Sequence, residues 1–288
     1  MDLRTSELFG HGRTVFSFEV FPPKKTSAVE TIYDTLKELR ELSPDFISVT
    51  YGAGGSGANS KTAEIASYIT NELGITAVAH LTCINNTKED ILAILDEFKR
   101  LGIENILALR GDVTPDITPK DDFRYASDLV SFIKQHGDFD ISGGCYPDVH
   151  FEAPDAATDI ENLKKKTDAG AEHLISQLFF DNRTFYDFRD RARAAGINVP
   201  IEAGIMPVVN TKQIERMVAL CGASLPPKFS RIMQKYENDP EALCDAGIAY
   251  AVDQIVDLIA NDVDGIHLYT MNKPYIARRI ADSIRTLL

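Results

Sequence analysis

The segment VFSFEVFPPKK, beginning at Val15, places one carboxylate, Glu19, among Phe16, Phe18, Val20 and Phe21 and then stops at a double proline. Burial beside apolar side chains favours the neutral form of an acid, so a carboxyl in such a place calls for a reason. Polar groups recur near the ends of other apolar runs. Thr50 and Tyr51 lie on the second, His80 and Thr82 on the third, and Arg110-Gly111-Asp112 ends the fourth. The fifth runs into Tyr146 with His150 beyond it, the sixth carries Gln177, and the last ends with Tyr269 and Asn272. Arg110 suits a phosphate or carboxylate, Asp112 suits the N–H groups of a ligand, and Gly111 permits a tight turn or close backbone approach.

No H-x-H or H-E-x-x-H spacing joins the histidines, and no G-x-S-x-G elbow appears. An acid, aromatics and amides without a nucleophile or metal set point to a bound cofactor that carries the hard chemistry. The segment ATDIENLKKKTDAG places Asp159, Asn162 and Lys166 on one helical face. Its plain reading is a solvated face. Its position after the fifth apolar run also allows a grip on a sugar hydroxyl and a pyrophosphate.

The elements that would carry these groups alternate along the chain. Short β-branched or apolar runs (TVFSFEVF, DFISVTYG, TAVAHLTCI, NILALRG, DISGGCYP, HLISQLFF, PIEAGIMPV, GIHLYTMN) alternate with amphipathic stretches such as VETIYDTLKELREL and KEDILAILDEFKRLG. Several of the helical stretches end in glycine. Eight such units predict an α/β fold, a (β/α)8 TIM barrel with a closed parallel sheet, as a single domain over residues 1–288. The competing doubly wound sheet would want G-x-G-x-x-G after its first strand, where FPPKK stands. The stretch from Ser224 to Asp262 is too long for one helix and reads as a loop or short helix followed by a helix over 241–260. In a barrel the polar groups above would share the C-terminal rim, which is where barrel enzymes do chemistry.

The chain has 43 acidic and 30 basic residues in 288, a formal charge of −13. That disfavours nucleic acid and anionic membranes as partners, though not an anionic ligand in a locally basic pocket. No apolar run approaches the roughly 20 residues of a membrane span, and the polar opening MDLRTSELFGHGRT is no signal peptide. Cys83, Cys145, Cys221 and Cys244 are widely spaced without a C-x-x-C pair, which argues against a disulfide framework and fits the cytoplasm.

The ordered set SFEVFPPK, FISVTYGAGG, AHLTCI, ALRGD, YASDLV, GCYPDVHFEA, NLKKKTDAGAEHLISQLFFD and GIMPVVN resembles the methylenetetrahydrofolate reductase family in its bacterial form, from about Val15 to about Lys273. The resemblance implies a barrel with non-covalently bound FAD that takes hydride from NADH or NADPH in ping-pong fashion. It then reduces methylenetetrahydrofolate to methyltetrahydrofolate for methionine synthesis. By position, Glu19 resembles the family's general acid, and Asp112 would bond the pterin edge while lowering the flavin potential. Gln177, Gln213 and Lys273 would hold substrate. The implied flavin contacts are Thr50, Tyr51, Ala53, His80, Arg110, Gly111, Asp112, Tyr125, Ala126, Asp128, Tyr146, His150, Ala153, Asp159, Asn162, Lys165 and Lys166. Better-known bacterial members carry phenylalanine where Met217 stands, and arginine often stands at the places of Lys165 and Lys273. The resemblance also implies a homo-oligomer, with room for a partner subunit, and no regulatory domain. Two readings from other classes compete: a metal-dependent lyase or hydrolase built on His80, His150 and nearby carboxylates, and a non-catalytic barrel that binds folate or a partner enzyme.

Overall fold

In the computed structural model, residues 4–23, 30–51, 58–113, 118–210, 213 and 223–288 are described, with backbone alone for 58–60. Eight strands appear where the apolar runs predict them: β1 (Val15–Val20), β2 (Phe46–Val49), β3 (Thr76–Thr82), β4 (Asn105–Leu109), β5 (Asp140–Cys145), β6 (His173–Ser176), β7 (Ile201–Ile205) and β8 (Gly265–Tyr269). All neighbours pair in parallel, and β8 closes on β1, with Ser17 opposite His267 and Glu19 opposite Tyr269. The fold is the closed (β/α)8 barrel that the alternation implies.

The helices of the described residues are α1 (Glu30–Arg40), α2 (Ala58–Asn71), α3 (Lys88–Arg100), α4 (Ala126–His136), α5 (Ala156–Asp168), α6 (Asn182–Ala194), α7 (Pro227–Lys235), α8 (Pro240–Ala260) and α9 (Pro274–Ile284). Local chemistry starts them: Thr87 and Asp90 form a capping box on α3, and Asp155, Asp181 and Asp239 accept from the first turns of α5, α6 and α8. The stretch before β8 divides into α7 and α8, as its length required. None of the described helices is long and apolar enough to cross a membrane.

Strand alternation sorts the side chains. Phe16, Phe18 and Val20 of β1 pack outward with Ile32, Leu36 and Leu39 of α1 in the main core. Ser17 and Glu19 turn inward, towards residues of β3, β7 and β8. Val15, Phe46, Val78, Leu107 and Ile175 form an apolar cluster with Leu8, which lies on a 3-10 turn (Thr5–Leu8). That turn is tied to the sheet by Thr5 N–H to Asn105 Oδ1 (2.9 Å) and Ser6 N–H to Asp140 Oδ2 (3.0 Å). A polar layer of Ser17, Ser48, His173, Glu202 and His267, all buried, also fills the interior.

Candidate active site

Glu19 is the last inward-facing residue of β1, where its side chain keeps 19% of its exposure. Two imidazoles face the same carboxylate oxygen: His80 Nε2 on β3 at 3.5 Å and His267 Nε2 on β8 at 3.7 Å from Oε2. His80 Nε2 is buried without a hydrogen-bond partner among the described residues. Burial pushes the His80 imidazole down to about 4, against the attraction of Glu19, so the ring is neutral at neutral pH. The backbone of Glu19 is held as well: its carbonyl accepts from Thr270 Oγ1 at 2.7 Å. One turn on, Asn272 accepts from Phe21 N–H (3.0 Å) and donates to Phe21 C=O (2.8 Å). The β8 end therefore fixes the β1 end that carries the acid. An acid held so can transfer a proton to a ligand at the mouth without a change in backbone.

A cleft of about 440 Å³ opens over the ends of β4 and β5. It gathers Arg110, Tyr125, Ala126, Tyr146, His150, Ala153, Asp159, Asn162, Lys165 and Lys166, ten of the implied flavin contacts. The α5 face of Asp159, Asn162 and Lys166 is therefore a wall of the cleft, with Asn162 exposed and Asp159 and Lys166 half-buried. Helix α5 starts at the Asp155 cap, and its register then turns Lys166 onto β5, where the ammonium donates to Gly144 C=O. The strand admits it because Gly143 has no side chain; a Cβ there would stand 2.6 Å from Lys166 Cδ. Desolvation lowers the Lys166 pKa, opposed by Cys145 and Asp159. Asp159 accepts from His150 N–H at 3.1 Å, and the His150 ring contacts Tyr146 and Phe151 at 4.5 and 4.6 Å between centroids. Burial lowers the His150 pKa and pushes the Cys145 thiol up to about 12, so the thiol is no nucleophile.

Arg110, expected to suit a phosphate or carboxylate, already holds a carboxylate of the protein. It forms a two-pronged pair with Glu152, with Nη2 to Oε1 at 2.9 Å, and that hydrogen bond holds the Glu152 carboxyl below its usual range. An anionic ligand must share or displace this carboxylate. Gly111 has φ of 87°, and a Cβ there would stand 3.1 Å from Thr82 Cβ, so the turn after β4 requires glycine. Asp112 follows it, exposed at the rim.

The remaining expected residues divide. Thr50, Tyr51, Gln177 and Asn272 lie just beyond their strands rather than on them, because the inter-strand ladder ends first. Gln177 folds its side-chain oxygen onto Leu178 N–H (2.9 Å). Asp128 accepts from Arg124 and Tyr125 N–H (both 2.9 Å) and so caps α4 from outside the cleft lining. Gln213 is buried, accepting from Val209 N–H at 3.2 Å, and Lys273 precedes α9. Ala53, the glycine-rich loop at 52–57, Met217 and Cys221 lie outside the described residues. His80 contacts Glu19 and His150 lines the cleft, and among the described residues no group of three or more His, Cys, Asp or Glu could hold a metal ion. Sequence reading missed Ser17, Glu202 and His267; strand alternation, which puts Ser17 on the face of Glu19 and His267 on that of Tyr269, was the available signal.

For a dinucleotide, the cleft has suitable groups: Lys165, Lys166 and Arg110 as donors to a diphosphate, Asp159 as acceptor from a ribose hydroxyl, and aromatic walls for flat rings. The chain matches the family model described as Methylenetetrahydrofolate reductase over residues 4–285. A 5,10-methylenetetrahydrofolate reductase of Pectobacterium carotovorum subsp. carotovorum is 40% identical over 273 residues, 95% of this chain and 91% of that protein. Methylenetetrahydrofolate reductase (NADH) 1 of Arabidopsis thaliana is 38% identical over 276 residues, 91% of this chain and 46% of that protein. In fold, the chain is like an uncharacterized protein from Clostridium thermocellum that binds two copies of 5-methyl-5,6,7,8-tetrahydrofolic acid, with a TM-score of 0.60, 16% identity and 96% of each chain covered.

Proposed function

The chain belongs to the methylenetetrahydrofolate reductase family, and from that premise we propose that it reduces 5,10-methylenetetrahydrofolate to 5-methyltetrahydrofolate with FAD as resident cofactor and NADH or NADPH as reductant. The observation that carries the proposal is Glu19, a partly exposed carboxyl near the end of β1, on the same strand-end rim of the barrel as a cleft whose polar groups suit a dinucleotide. FAD in that cleft would supply hydride, accepting it from the nicotinamide and passing it to the folate. Lys165, Lys166 and Arg110 would hold its diphosphate, Arg110 by exchanging Glu152 for the anion. Tyr125 and the Tyr146–His150 pair would flank its rings.

The folate needs a proton before it can be reduced. Its five-membered ring opens to an iminium when the departing nitrogen is protonated, and Glu19 would supply that proton. His80, neutral at neutral pH, is not a fixed counter-charge to the Glu19 carboxyl. Asp112 would orient the pterin through its amino-pyrimidine edge, with Gln177, Gln213 and Lys273 holding the rest of the substrate. The name of the Arabidopsis relative favours NADH as the reductant. The product would feed methyl groups to methionine synthesis.

Absorbance spectroscopy tests the proposal. The protein should be yellow with FAD, bleach anaerobically with NADH or NADPH, and regain colour with methylenetetrahydrofolate. Glu19→Gln should leave the bleaching intact and slow the return of colour by about 100-fold or more. A protein that takes up no FAD would sink the proposal, and equal loss of both half-reactions would sink the role of Glu19.

A further inference from the structure

The chemistry above makes no use of an acid in the barrel interior. Glu202 on β7 is completely buried in the barrel interior. An isolated charge there is unfavourable, so the carboxyl needs a proton or partners. The neighbouring strand is shaped to admit it: a Cβ on Gly265 would stand 2.7 Å from Glu202 Cγ. Its Oε1 lies 2.8 Å from Ser17 Oγ, and Ser17 Oγ lies 2.6 Å from His267 Nδ1. The other nitrogen of that imidazole faces Ser48 Oγ at 3.3 Å and Glu19 Oε2 at 3.7 Å. On its far side, Glu202 Oε2 lies 3.3 Å from His173 Nε2, without the alignment of a hydrogen bond. A hydroxyl and an imidazole can each take a proton on one side and release one on the other. Thus a buried carboxyl is joined to the carboxyl at the mouth through two groups able to relay.

We propose that Glu202 is a proton reservoir for Glu19, connected to it through Ser17 and His267. The inference rests on the general-acid reading of Glu19. Each turnover leaves Glu19 as a carboxylate, with bound rings covering the mouth. The Glu202 carboxyl then gives its proton to Ser17 Oγ, the Ser17 hydroxyl proton passes to His267 Nδ1, and the His267 Nε2 proton passes to Glu19 Oε2. One proton has left Glu202 and one has reached Glu19. Ser17 and His267 end with the charge they began with, and nothing is oxidised or reduced. The last step spans the longest gap, which closes by side-chain rotation of Glu19, the most exposed member of the line. His173 faces the Glu202 carboxylate that remains, and the same line run in reverse reloads it when the mouth reopens to water. His80 faces Glu19 too, but it is His267 whose other nitrogen meets Ser17, so the line to Glu202 runs through His267.

Two measurements decide the matter. First, infrared spectra of the protein without ligands should contain the carbonyl stretch of a protonated carboxyl at neutral pH that is missing in Glu202→Gln. Second, the holoenzyme reduced by NADH or NADPH should be mixed with methylenetetrahydrofolate in graded mixtures of H2O and D2O. The wild-type rate should fall along a bowed curve, as it does when several protons move together. Glu202→Gln and Ser17→Ala should give straight lines and rates about 10-fold lower, a smaller loss than that of the acid itself. Ser17→Thr, which restores the hydroxyl, should recover the bow, and flavin reduction should be unchanged in all of them. A straight wild-type line, an absent carboxyl band, or variants that match the wild type would each overturn the reservoir. If a variant fails to fold, the wild-type curve still decides. Glu19→Gln run in parallel separates the two claims: if it keeps the wild-type rate, the general-acid reading fails, whereas its arrest beside a wild-type-like Glu202→Gln removes only the reservoir.

Discussion

His80 shows how burial can outweigh a neighbouring charge. Glu19 at 3.5 Å pulls its pKa up, yet desolvation is larger and leaves it at about 4, below the ordinary value near 6.5. Between those values the unfolded chain binds more protons than the folded one. Stability is therefore complete above about pH 6.5 and falls by about 3 kcal/mol as pH drops to about 4. Urea midpoints at about pH 7 and about pH 4.5 should converge less in wild type than in His80→Gln, in which that part of the pH dependence disappears. Equal pH slopes in the two proteins would contradict the desolvation. Residue type and neighbours were enough to single out Glu19 and His80 as chemical groups. The facing of both imidazoles onto one oxygen was not legible, because it depends on three strands meeting.

Among the elements, α8 shows how packing reaches the site. At Gly247 the helix comes so close to the segment after β7 that a Cβ would lie 1.8 Å from Val208 C=O. Gly247→Ala must push α8 off that segment and should cost about 3 kcal/mol, read from a lower urea midpoint. The same segment carries Val209, whose N–H donates to Gln213, so folate affinity should fall while FAD binding is kept. Unchanged stability would mean that the helix has slack at this crossing. Helix α5 makes a related point about legibility. Spacing put Asp159, Asn162 and Lys166 on one face, but nothing local says whether that face meets water or a cleft. Gly143, 23 residues before Lys166 and on another element, decides it by leaving room for the lysine stem.

At the scale of the whole molecule, closure of the sheet creates an interior with an apolar end and a polar middle. Leu8 completes the apolar end from outside the strands, with Phe9 against the His173 ring at 5.2 Å. Leu8→Ala should destabilise the barrel by about 2–3 kcal/mol without altering either half-reaction, as chemical denaturation and absorbance kinetics would report. A slower folate half-reaction in that variant would mean that the apolar end communicates with the mouth. The formal charge of −13 coexists with Arg110, Lys165 and Lys166 around one cleft, so net charge says little about a single site.

The order of strands and helices, the caps, the division of the stretch before β8 and the acid on β1 follow from the chain itself. Each depends on neighbours within a few positions, where side-chain period and turn chemistry act directly. The tertiary structure alone decided that Arg110 is paired with Glu152, that α5 walls a cleft, and that Ser17 meets Glu202 and His267. Those last partners are 185 and 250 residues from Ser17. Only closure of β8 on β1 makes such distant residues neighbours, and a local pattern carries no record of that contact.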